Sequence, residues 1–156
     1  MKNPYSQQVQ SYERIPEPGN PRQTEAWALI QAAKRMGLAI THGEDDDRET
    51  KNARRDALRL NWRLWTIFQA ELVQDRGDLP VELHQNMLTL CNFIDKHTVG
   101  ALVNPTAESL RVLIDLNRNI ATGLMSQPAE DEAEIGADDE SAPEELVVPL
   151  QTDTEA

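Results

Sequence analysis

The stretch Ala57-Leu58-Arg59-Leu60-Asn61-Trp62-Arg63-Leu64-Trp65-Thr66-Ile67-Phe68-Gln69-Ala70-Glu71-Leu72 decides the fold. Wound at about 100° per residue, its apolar side chains fall into two adjoining stripes. One stripe holds Ala57, Leu60, Leu64 and Ile67. The other holds Leu58, Trp62, Trp65 and Leu72, with Phe68 between them. An apolar arc of well over half the circumference predicts a helix that sits centrally and is contacted by several neighbours. It is expected to begin near Arg48 or Glu49, after the acidic linker Glu44-Asp45-Asp46-Asp47, and to run to about Asp75, where Gly77 ends it.

The same period extends to either side of this rod. Asn20-Pro21 predicts a helix start, since Asn caps and Pro fits the first turn, and Gln23 stands where a capping box would use it. From Pro21 to Thr41 the residues Leu29, Ala33, Met36 and Ile40 keep one stripe, and Gly43 is the expected stop. After Pro80 the residues Leu83, Met87, Leu90 and Ile94 repeat the pattern to about Thr98, with Gly100 read as a break. Asn104-Pro105 is expected to open a last helix with the stripe Leu110, Leu113, Asn117, Ile120 and Leu124. No segment alternates with period two for long enough to be a strand. The expected fold is all-α, a compact bundle of four to five helices, the fifth depending on Tyr5, Val9 and Tyr12 near the start.

Charge divides the chain. Its 156 residues carry 27 acidic and 15 basic side chains, a net charge of −12. Residues 127–156 contain 11 of those acids and no base, so residues 1–126 stand near −1. The reading is a helical domain over 1–126 and a disordered acidic tail over 127–156, because Glu, Asp, Ala, Pro and Ser offer too little apolar area to offset the entropy of ordering. Within the tail the island Leu146, Val147, Val148 and Leu150 is a candidate recognition segment. The longest uninterrupted apolar run is Ala26 to Ile30, far too short to span a bilayer, and no secretory leader is read at the start. The expected location is the cytoplasm.

Catalytic chemistry has little to stand on. The one cysteine, Cys91, excludes an internal disulfide and a clustered thiolate site. His84 and Cys91 are two turns, about 10.5 Å, apart on one helix, too far for an activated thiolate. His42 and Glu44 to Asp47 lack the ligand spacing of a calcium loop, and no glycine pattern cradles phosphate. No catalytic residue, metal or cofactor is expected.

Binding is better supported. Trp62 and Trp65 share a helix face that Leu58 and Leu72 extend, and aromatic anchors of this kind are the usual energetic centre of helix-binding grooves. Phe68 borders that strip. Asn61 and Asn117 sit where the period calls for apolar residues; a buried amide without partners costs about 1 to 3 kcal/mol, so both are expected to be bonded, to each other or to backbone. The candidate partner site is therefore Leu58, Asn61, Trp62, Trp65, Phe68 and Asn117. A second surface is the arginine stripe Arg48, Arg55, Arg59 and Arg63, which suits phosphate contacts to RNA or contact with the acidic tail.

Residues Leu58 to Gln69 and Leu113-Ile114-Asp115-Leu116-Asn117-Arg118-Asn119-Ile120-Ala121-Thr122-Gly123-Leu124, together with Asn92-Phe93-Ile94-Asp95 and the helix from Pro21 to Met36, resemble the FlaF family of alphaproteobacterial flagellar biosynthesis regulators. The resemblance runs from about Tyr5 to Met125. It implies a small helical cytoplasmic protein needed for flagellin production and export, with flagellin as client and FlbT as a further partner. It supplies no catalytic residues. The alternative it leaves is a post-transcriptional regulator acting on flagellin messenger RNA, alone or through FlbT.

Overall fold

The computed structural model describes residues 14–74 and 79–126. Within them stand four helices: α1 (Pro21–Thr41), α2 (Arg48–Gln74), α3 (Val81–Val103) and α4 (Ala107–Ser126). The acidic tail with its Leu146 to Leu150 island, the segment containing Tyr5, Val9 and Tyr12, and Gly77 lie outside the described residues.

Each helix start has a local cause. Gly19 takes φ 118°, which a side chain would resist, and turns the chain into α1. Asn20 then caps it, its Oδ1 accepting from Gln23 N at 3.2 Å. For α2 the cap is Asp47, the last residue of the acidic linker. Its Oδ2 accepts from Thr50 N at 2.9 Å and from Thr50 Oγ1 at 2.8 Å. These bonds hold the Asp47 carboxyl below the usual carboxylate range. Gly43 has its own reason to lack a side chain, because a Cβ there would lie 2.5 Å from Thr50 Oγ1.

Two expectations about the second half are corrected. Gly100 does not break α3, which continues to Val103; one glycine costs a helix only about 1 kcal/mol, and Ala101, buried one residue on, repays it through packing. Asn104 therefore ends α3, its N–H bonded to Gly100 O at 3.2 Å, instead of opening α4. The cap of α4 is Thr106, whose Oγ1 accepts from Ser109 N at 3.1 Å.

The four helices form one bundle. α1 packs most extensively on α4, then on α2; α2 packs on α3, and α3 meets α4 only sparsely. α2 is thus not the sole centre that its wide apolar arc predicts. The reason is side-chain size: α1 buries Ala26, Ala32, Ala33 and Ala39, and α4 buries Ala121, stubs that let two backbones approach closely. Around this pair Leu29, Met36, Leu58, Trp65, Ile94, Leu110 and Leu113 fill the interior.

Candidate partner-binding site

The tryptophan stripe is turned inward. Trp65 is 2% exposed, Leu58, Asn61 and Asn117 are fully buried, and Phe68 is half-buried with its ring edge-on to Trp65. Trp65 Nε1 donates to Asn117 Oδ1 at 2.9 Å. Asn117 Nδ2 donates to Leu29 O at 3.2 Å and to Asn61 Oδ1 at 2.7 Å. The chemistry fixes these orientations: an indole N–H only donates and a carbonyl only accepts, so the Asn117 amide can face one way. Asn61 must then present oxygen, which leaves its buried Nδ2 without a partner. The expected bond between the two asparagines exists, and it ties α1, α2 and α4 together.

Trp62 is half-buried, and its Nε1 donates to Asp95 Oδ1 on α3 at 2.8 Å. Of the six residues expected to face a partner, Leu58, Asn61, Trp65 and Asn117 form the interior; a groove cannot be made of them without opening the bundle. Trp62 and Phe68 alone keep partial access to solvent. Both indole N–H groups found acceptors on neighbouring helices, and that drew the aromatic face inward.

The other stripe of α2 stays open. Leu60 is 37% and Ile67 52% exposed, Leu64 is half-buried between them, and across the seam on α1 Leu38 is 71% exposed. A depression of about 350 Å³ lies in this seam, lined by apolar Leu38, Ala39, Ala53, Ala57 and Leu60 and by polar Arg35, His42 and Asp56. Leu60 and Ile67, seven apart, share a line about 10.5 Å long down the helix. This aliphatic seam is the concave apolar surface that the sequence stripes contained but assigned to the wrong face.

The arginines divide likewise. Arg55 is half-buried and caps the end of α3, its Nε donating to Leu102 O at 3.0 Å. Arg48, Arg59 and Arg63 are exposed, with Arg59 Nη1 3.0 Å from Asp56 Oδ1. The stripe is therefore shorter than its spacing suggests. Arg54, which the sequence reading left out, is 1% exposed. Its Nε donates to Ala39 O and its Nη2 to Ile40 O, each at 3.3 Å, while Nη1 donates to Pro105 O at 3.0 Å and to Asp45 Oδ1 at 2.6 Å.

The residues that can titrate do not gather into a reactive site. Cys91 is buried, and burial pushes its thiol up, away from the thiolate. His84 Nε2 lies 2.8 Å from Leu72 O and His97 Nε2 2.8 Å from Ser109 O, geometries in which each ring nitrogen donates to a carbonyl. Among the described residues no group of three or more His, Cys, Asp or Glu is placed to hold a metal ion, and no helix is long and apolar enough to cross a membrane.

Glu25 on α1 is the exception in its titration. Partial burial raises its carboxyl above the ordinary value of 4.5, nearby Glu71 on α2 raises it further, and Arg22 opposes them. A raised folded value means that the folded state holds the proton more tightly than the unfolded chain. Stability is then greatest at low pH and falls as pH rises through the raised value. Glu25→Gln is accordingly expected to raise Tm at pH 7, with the gain gone below pH 4.5. Thermal melts at the two pH values check this, and an equal gain at both would show that charge is not the cause.

The family described as flagellar protein FlaF matches residues 7–124, spanning every described helix. The chain belongs to the FlaF family. It is therefore a flagellar protein, and the FlaF match takes in the tryptophan and asparagine core, the Arg54 cluster and the aliphatic seam alike. Searches of curated proteins and of solved structures find no match to this FlaF-family chain.

Proposed function

We propose that this FlaF-family chain is a flagellar biosynthesis regulator acting as a cytoplasmic flagellin-binding export chaperone, which couples flagellin supply to secretion and assembly. It is a binding protein and not an enzyme. The observation that carries the reading is the open aliphatic seam, in which Leu60, Leu64 and Ile67 of α2 face solvent beside Leu38 of α1. A row of apolar side chains left wet on one helix, next to a depression against its neighbour, matches what an amphipathic client helix needs: anchors at i, i+3, i+4 and i+7 laid into a groove. Exposed anchors also suit a chaperone because the client must leave, and a shallow groove gives reversible capture. FlbT enters as a second partner through the family context alone.

The test mixes the full chain with flagellin and measures association by calorimetry. Leu60→Asp and Ile67→Asp are each expected to weaken binding by about 2 kcal/mol, the loss typical of a central anchor. Both side chains are already exposed in the free protein, so the variants' melting temperatures should stay near the parent's. No complex with flagellin at micromolar concentrations would end the chaperone reading. A complex indifferent to both substitutions would move the site off the seam.

A further inference from the structure

The seam carries unlike charges at its two ends. Toward the C-terminal end of α1 it is edged by Arg35 and His42, and Arg63 stands exposed farther along α2. Asp56 at that end is offset by its contact with Arg59. Toward the N-terminal end of α1 the seam meets Glu25, which feels the charge of Glu71 across from it on α2. Apolar Leu60, Leu64 and Ile67 lie between. Ten residues separate Glu25 from Arg35 on α1, so the two poles are about 15 Å apart.

Resting on the reading of the seam as the client groove, we infer that it receives its client helix in one direction, with a basic side chain of the client against Glu25 and Glu71 and an acidic one against Arg35 and Arg63. The client is thus an amphipathic helix whose apolar stripe is flanked by a Lys or Arg and, about ten residues away, by an Asp or Glu. Like charges placed opposite either pole would be repelled, so a helix entering backwards is rejected even though its apolar stripe fits. Direction matters to a carrier, because it decides which end of the client leaves the groove first.

Two synthetic helical peptides test this on the full-length protein. Both carry the same apolar stripe and the acidic residue, and one has Lys where the other has Glu at the far flank. The Lys peptide should bind the parent protein more tightly, by about threefold or more for an exposed charge contact. Glu71→Lys should reverse that order, and Leu60→Asp should weaken both peptides alike. A photo-crosslinker beside the peptide's Lys should attach near Glu71 and not near Arg35. If both peptides bind but Glu71→Lys leaves their order unchanged, or the crosslinks appear at both ends, directional docking is wrong while the seam remains the groove. If neither peptide binds and flagellin binding is also indifferent to Leu60→Asp, the seam reading falls with it. A parent protein that elutes as a dimer, and turns monomeric with Leu60→Asp without taking up peptide, would assign the seam to a second copy and overturn the inference.

Discussion

Arg54→Met is expected to lower the stability of the bundle by about 3 kcal/mol, the low end of the range for deleting one partner of a buried charged cluster. The low end applies because Asp45 is 60% exposed and regains water when the guanidinium is gone. What cannot regain water so readily is the set of carbonyls that Arg54 serves. Ala39 O and Ile40 O belong to the last turn of α1, where no intrahelical N–H reaches them, and Pro105 O lies in the loop between α3 and α4. One planar fork thus closes a helix end, a linker and a distant loop, and its positive charge sits at the negative end of the α1 dipole. Arg54→Lys should rescue little of the loss, since a single ammonium cannot reach acceptors that the guanidinium meets from three nitrogens. Asp45→Asn should cost under about 1 kcal/mol, as for other exposed ion-pair partners. Urea melts check all three, read as a shift in midpoint at constant slope. A midpoint for Arg54→Met close to that of Asp45→Asn would show that the carbonyl contacts contribute little.

Arg54 also shows where sequence reading stopped. The period of apolar residues foretold four helices and three of their starts closely, because stripes and caps are local: Asn20 with Gln23, and Asp47 with Thr50, are bonds across three residues. The bond between Asn61 and Asn117 was foretold as well, since two amides in apolar stripes must satisfy one another or backbone. Arg54 gives no such signal. It looks like one more arginine of a basic stretch, and its burial depends on carbonyls that come together only when α1 ends beside the loop before α4. The partner site failed for a related reason. Both stripes of α2 are apolar, and which one is covered depends on neighbours; Asn117 and Asp95 offered acceptors to Trp65 and Trp62, whereas nothing on α1 covers Leu60 and Ile67. Two aromatic residues with polar edges have more to gain from burial beside acceptors than aliphatic ones have to lose by exposure.

Asn117→Leu is expected to cost about 3 kcal/mol, and Asn61→Leu much less, although the two amides are bonded to each other. The difference follows from what each substitution strands. Removing the Asn117 amide leaves Trp65 Nε1 without its acceptor and Asn61 with neither end bonded, two buried polar groups at about 1 to 3 kcal/mol each, partly offset by the added apolar volume. Removing the Asn61 amide takes away a group whose Nδ2 already lacks a partner, while Asn117 keeps Trp65 on its oxygen and Leu29 O on its nitrogen. In the double variant the stranded Asn61 no longer exists, so Asn117→Leu should cost about 1 kcal/mol less than in the parent background, a coupling well within reach of a double-mutant cycle. Strict additivity, or an Asn61→Leu variant as damaged as Asn117→Leu, would mean that the network is not wired as the distances indicate. The placement has a consequence for the flagellar role: with α1, α2 and α4 joined through one carboxamide, the seam between α1 and α2 is a rigid floor, and a client that docks there need not order it first.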